Sequence, residues 1–477
     1  VDANDHLQPS GIFRRLISPD SVPAFAVPML LQPTPDLAAG AALFFLGGRF
    51  SPADHAWRWD DEHAIAFRRV AADGQQLAAD DPAGMPQIRI DFGSVHAELT
   101  LGDAGEPAAC DDWPGYQVSQ IPRVEIERQL SRGARRALEI VAPGPSLIDP
   151  AIKAAAVEHG TLEAAGDLRL AVLSGSPEEI GTAHGELLAT EAWRCIDSVL
   201  HVVGTVETVR DGRWFRHRLE EARERLEPHI PERHRRETAA IAASIGCDPE
   251  LLQTVNVFPE LFHCSGFAVT GSATVDGSLY HGRVLDYMTE IGLQDSAVVF
   301  VVAAEGQIPF VNVGYAGFTG SVSGMNERGI SLGEMGGRGE GQWDGVPMAT
   351  LMRRALEECR TLDEVTSLWE TSPRTCEYFY VFADGKSRRA VGVAATPERM
   401  EVVPLGGGHE LLGEGITDCV ALSAGDRLET LRSRITAAHG RIDEAAAIEL
   451  MSRPVAMTSN LHNVLFVPED LVLHVAH

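Results

Sequence analysis

The chain has 477 residues, enough for two or three domains of ordinary size. Its 40 basic and 68 acidic side chains give a formal net charge of −28, and a field of that sign repels phosphate backbones and anionic membrane surfaces. Nucleic-acid binding and polybasic membrane binding are therefore disfavoured. No apolar run approaches the about 18 residues of a transmembrane helix, so no membrane span is predicted.

The seven cysteines are scattered along the chain and form neither a CxxC pair nor a zinc-binding spacing. We therefore expect reduced thiols and no disulfide framework. No secretory signal opens the sequence, which favours the cytoplasm. Residue 1 is Val and not Met, however, so a removed leading segment leaves export open.

Several familiar motifs are absent from the sequence. It contains no G-x-S-x-G nucleophile elbow, no H-E-x-x-H metal motif and no G-x-x-x-x-G-K-[ST] phosphate loop. We expect neither a metal nor an organic cofactor. The glycine-rich run 333–341 lacks the lysine and the strand–helix order of a phosphate loop, and it predicts a mobile loop that lines a pocket.

Residues 1–125 predict an accessory β-rich region. Apolar positions alternate through residues 87–101 around a Gly93-Ser94 turn, which indicates a β-hairpin. Four prolines within residues 22–39 favour extended or loop structure there. This region is expected to cover the active site or to mediate assembly.

Residues 126–263 predict a helical segment. At Ser176-Pro177-Glu178-Glu179, an N-cap, a first-turn proline and a capping-box glutamate indicate the start of a helix. The segment 216–237 is dense in Arg, Glu and His. Because its opposite charges are interleaved, it predicts a solvated helical face and no basic binding patch.

Residues 264–477 change abruptly to alternating strands and helices. A β-hairpin with a type I′ turn at Asp276-Gly277 is predicted directly after Cys264. The blocks of strands and helices that follow predict an α+β unit of layered sheets with helices outside. Helices are predicted at 348–359, 362–370, 426–438 and 444–451, and strands at 297–302, 309–313, 330–332, 378–382, 389–393, 401–403, 464–467 and 471–475.

Cys264 lies at the junction between the helical and the sheet-rich parts. A cysteine is a weak nucleophile until a base removes its proton. If the His263–Cys264 bond were cleaved, the new α-amine of Cys264 would lie beside its own thiol. An α-amine titrates near about 8, which suits it to accept a thiol proton at neutral pH. On these residues alone, a small buried apolar cysteine remains the alternative.

Four separated motifs occur in an order that resembles the acyl-CoA:isopenicillin N acyltransferase-like family, the cysteine N-terminal-nucleophile hydrolases of the peptidase C45 type. The more distant choloylglycine hydrolases share the R-x-x-D spacing of Arg283 and Asp286. The resemblance covers residues 165–477. The motifs are Gly175-Ser176-Pro177-Glu178-Glu179-Ile180-Gly181-Thr182-Ala183-His184-Gly185, the segment 264–286, Gly324-Met325-Asn326-Glu327-Arg328-Gly329, and Gly345-Val346-Pro347.

This resemblance implies a four-layer αββα N-terminal-nucleophile hydrolase fold and self-cleavage between His263 and Cys264. It also implies hydrolysis or transfer of an acyl group held as an amide, through a thioester on Cys264. By position, Asp286 would orient the freed α-amine and Arg283 would favour the thiolate. The alternative for Arg283 and Asp286 is a structural ion pair at a strand end.

The sequence departs from the family at the oxyanion site, where the family carries an asparagine after a threonine in a late strand. Here that position is Asp418, whose carboxylate would repel a developing oxyanion unless it were protonated. Backbone N–H groups, Asn326 or Asn460 are the remaining candidates, and both asparagines also suit turns. A second family asparagine is replaced by Glu334, and Arg427 falls near an arginine of the choloylglycine hydrolases.

The leading hypothesis is an autoproteolytic cysteine amidohydrolase or acyltransferase that acts on a small-molecule acyl amide. Its two fragments would stay associated through a shared core, and homo-oligomerisation is left open. Asp418 and Glu334 motivate a second hypothesis, a catalytically retired binding or scaffold protein on the same fold. A third is a thiol hydrolase with an internal Cys–His pair that uses His184 or His462.

Overall fold

The computed structural model describes thirteen stretches of the chain. The described residues are 49–51, 56–58, 63–71, 74–77, 85–92, 95–100, 132–133, 136, 152–204, 215–257, 263–286, 291–336 and 341–476. The chain divides into two compact units, one made of 1–150 with 197–218 and the other of 151–196 with 219–477. The domain boundaries expected at residues 125 and 263 stay predictions.

The first unit contains an antiparallel β-sheet. Its described strands are Arg49–Ser51 (β1), Ala56–Arg58 (β2), His63–Val70 (β3), Gln76–Leu77 (β4), Met85–Phe92 (β5) and Val95–Thr100 (β6). They run in the order β1-β2-β3-β5-β6, and β4 pairs with β3. The hairpin predicted over 87–101 is confirmed, because β5 pairs with β6 and Phe92 lies opposite Val95. The proline-rich segment 22–39 lies outside the described residues.

The second unit contains two β-sheets. The strands in chain order are Ala155–Val157 (β7), Gly160–Ala165 (β8), Leu168–Gly175 (β9), His263–Val269 (β10), Tyr280–Asp286 (β11), Ala297–Ala304 (β12), Phe310–Tyr315 (β13), Ser323–Asn326 (β14), Ile330–Gly336 (β15), Tyr378–Asp384 (β16), Arg389–Ala395 (β17), Met400–Pro404 (β18), Cys419–Leu422 (β19), Asn460–Val467 (β20) and Val472–Ala476 (β21). Among the described residues, one sheet has the order β18-β17-β16-β15-β14-β13-β12-β9-β8-β7 and the other β19-β10-β11-β20-β21.

Eight α-helices are described beside these sheets. They are Pro177–Ile196 (α1), Phe215–Leu226 (α2), Glu232–Ile245 (α3), Pro249–Asn256 (α4), Met348–Glu358 (α5), Leu362–Thr371 (α6), Asp426–Ala438 (α7) and Glu444–Leu450 (α8). The four helices predicted between residues 348 and 451 are α5 to α8, and each is confirmed to within one residue at its ends.

The second unit is built in four layers. Helices α5 and α6 pack on β14, β15 and β16 of the larger sheet, where Trp369 lies against Phe382 with ring centroids 4.6 Å apart. The other face of that sheet contacts β10, β11 and β19, and α7 and α8 cover the smaller sheet. Val313 and Met325 meet Val464 and Phe466 in the core between the sheets. The predicted αββα arrangement is therefore confirmed.

The segment before Cys264 forms part of these layers. The capping box that begins α1 is confirmed, because the Ser176 N–H donates to Glu179 Oε2 at 2.7 Å and the Glu179 N–H donates to Ser176 Oγ at 3.3 Å. Helix α1 packs along α3, and β9 pairs in parallel with β12. The sheet thus joins residues on both sides of Cys264.

The prediction of a type I′ turn between β10 and β11 is wrong. The two strands do pair as a hairpin, but residues 270–279 connect them and include a 3₁₀ turn. A type I′ turn needs positive φ at both central residues; Gly277 has a φ of +81°, whereas Asp276 is not in that region. Val275, which a two-residue turn at Asp276-Gly277 would place in the first strand of the hairpin, lies outside both strands and is 65% exposed.

Two further expectations change once the packing is known. His234 and Glu237 belong to the segment predicted as a solvated face, yet they are 3% and 4% exposed. Glu237 accepts from Arg353 Nη2 at 2.8 Å, so a buried partner on α5 neutralises it. The glycine-rich run predicted as a mobile loop is instead strand β15 through residue 336, and 337–340 lie outside the described residues.

Candidate active site

Cys264 lies near the start of β10, an inner strand of the smaller sheet. The residue is 4% exposed, and residues 264–269 are all buried. The Cα register places Cys264 opposite Leu285 of β11, and Leu285 opposite His462 of β20. Directly opposite residues project from the same face of a sheet, so these three side chains share one face.

Arg283 lies on that same face of β11, two residues before Leu285, and reaches the larger sheet. It is 0% exposed. Its Nε donates to the Val322 carbonyl at 3.4 Å, and its Nη2 donates to Glu334 Oε2 at 3.3 Å. These contacts show that the face with the Cys264 thiol lies between the two sheets.

Gly333 makes this approach of Arg283 possible. A Cβ at Gly333 would lie 2.9 Å from Cδ of Arg283 and 3.1 Å from Nε2 of His281, closer than atoms pack without displacement. Side chains alternate along a strand, so Glu334 projects from the other side of β15. The guanidinium reaches the Glu334 carboxylate by passing the bare Gly333 backbone.

The thiol in the intact chain is held in its protonated form. Burial raises the pKa of Cys264 to about 12, although the Arg283 guanidinium acts in the opposite direction. The charges of Glu334 and Asp286 also raise this pKa. Because the thiolate is the nucleophile, Cys264 is weakly reactive at neutral pH in this environment.

Asp286 ends β11 on the opposite face, toward α7. Its Cα is paired with that of His263, which places the carboxylate level with the predicted cleavage site. Asp286 is 2% exposed and accepts from the Met457 N–H at 2.9 Å and from Asn460 Nδ2 at 3.1 Å. Arg427 Nη2 donates to its second oxygen. A buried carboxylate with these donors is held in one orientation.

Ser265, the residue after Cys264, belongs to the same hydrogen-bond network as Asp286. Its Oγ accepts from Arg427 Nη2 at 2.6 Å and lies 2.7 Å from Ser423 Oγ. Arg427, at the start of α7, therefore bridges Ser265 of β10 and Asp286 of β11. The backbone of Cys264 lies between an inner face with Arg283 and an outer face with Asp286.

The structure brings one of the three oxyanion candidates into this cluster. Asn460 donates through Nδ2 to Asp286 and to the Leu285 carbonyl at 3.0 Å. Asn326 instead donates to the carbonyls of Leu356 and Cys359 at 3.0 and 2.8 Å. Its Oδ1 accepts two N–H groups of the following turn. Asn326 thus acts as a turn residue here.

Asp418 lies at the far end of β10. Its carboxylate accepts from the Ser272 N–H and hydroxyl at 2.7 and 2.6 Å, and these bonds lower its pKa. Strand β19 begins after it, with Cys419 opposite Val269. Five residue steps of extended strand, at about 3.3 Å each, separate Val269 at this end from Cys264, a span of about 17 Å. The structure therefore does not place Asp418 at the thiol.

The two histidines of the internal Cys–His alternative have other neighbours. His184 Nε2 accepts from the Gly317 N–H at 2.9 Å, and burial lowers the pKa of the ring to about 3. His462 lies 3.0 Å from Ser323 Oγ through Nε2 and 3.4 Å from the Tyr315 hydroxyl through Nδ1. No hydrogen bond joins either ring to Cys264 among the described residues.

Sequence reasoning missed Ser423 and undervalued Arg427. Leu422 is opposite Gly266, so the residue after β19 lies beside the start of β10. The register of β19 against β10 therefore identifies Ser423 as the residue near the nucleophile, whereas the motif match at Thr417-Asp418 pointed to Asp418. A polar residue directly after a short apolar strand was the available signal.

One family model matches part of the chain. Residues 273–404 match the model of the family described as acyl-coenzyme A:6-aminopenicillanic acid acyl-transferase. The match confirms the resemblance. The matched segment includes Arg283, Asp286, Asn326 and Glu334, and it begins after Cys264.

Individual similar proteins cover parts of the chain. Protein dcd1A of Dictyostelium discoideum is 24% identical over 165 residues, which are 32% of this chain and 37% of that protein. The chain thus spans well under half of that relative's length.

Several solved structures show partial similarity to this chain. The Caenorhabditis elegans N-acylethanolamine-hydrolyzing acid amidase ortholog is 18% identical, with a TM-score of 0.37 over 43% of this chain and 93% of that one. A variant of the conjugated bile acid hydrolase from Clostridium perfringens is 12% identical, with a TM-score of 0.31 over 45% of this chain and 88% of that one. Penicillin V acylase from Agrobacterium tumefaciens is 12% identical, with a TM-score of 0.31 over 44% of this chain and 82% of that one.

Within the described ranges, no group of three or more His, Cys, Asp or Glu side chains is arranged to hold a metal ion. No helix among the same residues is long and apolar enough to cross a membrane.

Proposed function

We propose that this protein is an autoproteolytic cysteine amidohydrolase or acyltransferase whose nucleophile is Cys264. The observation that carries the proposal is the position of Cys264 between two charged groups. Arg283 lies on the face of its thiol, and Asp286 lies level with the bond that precedes it. The match to an acyl-transferase family over 273–404 supports the same reaction class.

Self-cleavage is the first step of the proposed mechanism. The Cys264 sulfur adds to the His263 carbonyl carbon, and the thiol proton passes to the departing backbone nitrogen as the peptide bond breaks. Water then hydrolyses the thioester, which leaves a carboxyl group on His263 and a thiol and an α-amine on Cys264. Asp286, fixed by Arg427 and Asn460, would hold that amine in place.

Acyl transfer follows from the new N-terminus. The α-amine accepts the thiol proton, the sulfur attacks the amide carbonyl of the substrate, and the protonated amine returns the proton to the leaving nitrogen. The resulting thioester is resolved by water or by an acceptor amine, which regenerates the thiol. Arg283 would favour the thiolate during attack, because it already opposes the rise of the Cys264 pKa.

The two fragments would remain one molecule after cleavage. Strand β9 of the preceding segment pairs in parallel with β12 of the following one, from Leu170 opposite Val299 to Gly175 opposite Ala304. The substrate is a small-molecule acyl amide. A cytoplasmic location and a homo-oligomer stay predictions.

Turnover of N-acyl p-nitroanilides, read as p-nitroaniline release, tests the proposal. Cys264→Ala should give an uncut chain without release, whereas Cys247→Ala, in the turn after α3, should be cut and active. In the wild type, mass spectrometry should find the acyl group on the fragment that begins with Cys264. Release of p-nitroaniline by Cys264→Ala at the wild-type rate would contradict the proposal.

One observation favours the competing hypothesis of a catalytically retired scaffold. The thiol pKa of about 12 in the intact chain leaves little thiolate at neutral pH. That hypothesis expects an uncut chain, no acyl adduct and no labelling of Cys264 by iodoacetamide beyond that of the other thiols. An acyl adduct on Cys264 excludes it.

A further inference from the structure

The loop of residues 316–322, between β13 and β14, is held by side chains from several other elements. We call it the 316–322 loop. Its last residue matters to the site, because the Val322 carbonyl accepts from Arg283 Nε at 3.4 Å. The loop therefore supplies one of the three acceptors that hold the guanidinium beside Cys264, together with the Val284 carbonyl and Glu334.

Three residues that precede Cys264 hold the middle of the loop. His184 of α1 accepts the Gly317 N–H at 2.9 Å. Asn256, at the end of α4, donates to the Gly317 carbonyl at 2.9 Å and accepts the Thr319 N–H at 2.7 Å. Thr238 of α3 lies 3.1 Å from the Thr319 hydroxyl. Each of these side chains is at least nine-tenths buried, so water does not compete for the bonds.

Other residues hold the remainder of the loop. Arg353 Nη1 donates to the Thr319 carbonyl at 2.7 Å, and Glu237 of α3 pairs with Arg353. At the base, His462 bridges the residues on either side of the loop, Tyr315 and Ser323, at 3.4 and 3.0 Å. Both histidines of the internal Cys–His alternative thus act on this loop.

We infer that the segment before Cys264 is a positioning element of the active site after cleavage, in which His184 and Asn256 fix the 316–322 loop and, through Val322, the Arg283 guanidinium beside the thiol. This inference rests on the proposed function for its kinetic consequences. It also gives a physical reason for the histidine of the Gly175–Gly185 motif. The first fragment is then required for turnover as well as for folding.

The test uses the full-length protein and the variants His184→Ala and His184→Gln. Glutamine restores an acceptor near the position of Nε2, so it should rescue what alanine loses. Ser244→Ala is the control, because Ser244 Oγ of α3 donates to the Thr182 carbonyl of α1, two residues before His184, at 3.2 Å and makes no contact with the loop in the hydrogen bonds given above. Hydrogen–deuterium exchange of peptides that contain Gly317 and Thr319 reports loop fixation directly.

Two chemical readouts report the position of Arg283. In His184→Ala, the pH midpoint for alkylation of Cys264 by iodoacetamide should rise by about half a pH unit or more, because the cation is less well placed. For substrate turnover, kcat should fall about tenfold while KM stays within about twofold, and glutamine should restore both readouts.

The outcomes separate this inference from the proposed function. Faster exchange confined to the loop, with a raised alkylation midpoint that glutamine reverses, supports the positioning role. Unchanged exchange, or faster exchange with an unchanged midpoint, overturns it. If the wild type is neither cut nor active, the proposed function has failed, and with it the role after cleavage; the exchange result still decides whether His184 fixes the loop.

Discussion

Cys264 and Asp286 lie on adjacent, paired strands but project from opposite faces of the same sheet. Cys264 is opposite Leu285, and Asp286 follows one residue later. The thiol therefore shares the space between the sheets with Arg283, while the carboxylate belongs to the network of Arg427 and Asn460. In the proposed mechanism, the α-amine freed between them can be held from one face while the thiol acts on the other.

Replacing Asp286 tests the outer face. Asp286 would hold the departing Cys264 nitrogen in place, and in Asp286→Asn the carboxylate that accepts from Arg427 and Asn460 becomes neutral. We therefore expect self-cleavage to slow by about 100-fold, the loss that a misplacement of about 1 Å can cause. The measurement is the fraction of cut chain against time on gels after rapid purification. Asp344→Asn, which alters an exposed ion pair with Arg225, should cleave like the wild type. Equal rates for both variants would remove Asp286 from the mechanism.

Gly333 should tolerate no side chain. In Gly333→Ala, the new Cβ would lie 2.9 Å from Cδ of Arg283, so we expect a loss of about 2 kcal/mol in the free energy of unfolding as the core is overpacked. Urea unfolding measures it. Gly408→Ala is the control, because a Cβ there meets ordinary contacts at 3.4 Å and beyond. A variant as stable as the wild type would mean that Arg283 does not pass Gly333 closely.

The buried ion pair between α3 and α5 should be costly to break. In Arg353→Met, Glu237 and Glu357 lose a buried cation, and the free energy of unfolding should fall by about 3–5 kcal/mol. Arg354→Met removes the neighbouring pair with the part-exposed Glu358 and should cost at most about 1 kcal/mol. Similar losses in the two variants would contradict the burial described for Arg353.

His281 should make the fold sensitive to acid. Burial, aided by Arg283, lowers the pKa of its ring from 6.5 to about 3. The unfolded chain therefore binds the extra proton between these pH values, and stability is lost as pH falls through that window. At pH 5 the loss from one such histidine is about 2 kcal/mol relative to pH 7.

The variant His281→Gln isolates this effect. Its free energy of unfolding should fall less between pH 7 and pH 5 than that of the wild type, whatever its absolute stability. His217→Gln, at an exposed position of α2, should keep the wild-type slope. Parallel slopes for all three proteins would show that His281 is not buried as a neutral ring.

Much of the second unit was predictable from sequence. Helix α7 was expected at 426–438 and spans those residues, because its charged and apolar positions repeat with the helical period. Local pattern also identified the capping box of α1 and the strands around residues 378–395. In each case, the signal and the structure that it specifies lie within a few residues of each other.

The features that could not be predicted from the sequence depend on contacts between residues far apart in the chain. The position of Asp418 followed from a motif match, yet the register of β19 puts it at the far end of β10. Glu237 lies among charges typical of a solvated face, and its burial depends on Arg353, far along the chain. Side chains of four helices, α1, α3, α4 and α5, converge on the 316–322 loop, and the periodicity of the sequence does not reveal this convergence.

The most direct test of the central claim is an intact mass of the purified full-length protein under denaturing conditions. The account predicts two species, one ending at His263 and one beginning at Cys264, and a single uncut species for Cys264→Ala. One full-length mass for the wild type, unchanged after prolonged incubation, would contradict self-cleavage and with it the assignment of the Cys264 α-amine as the base.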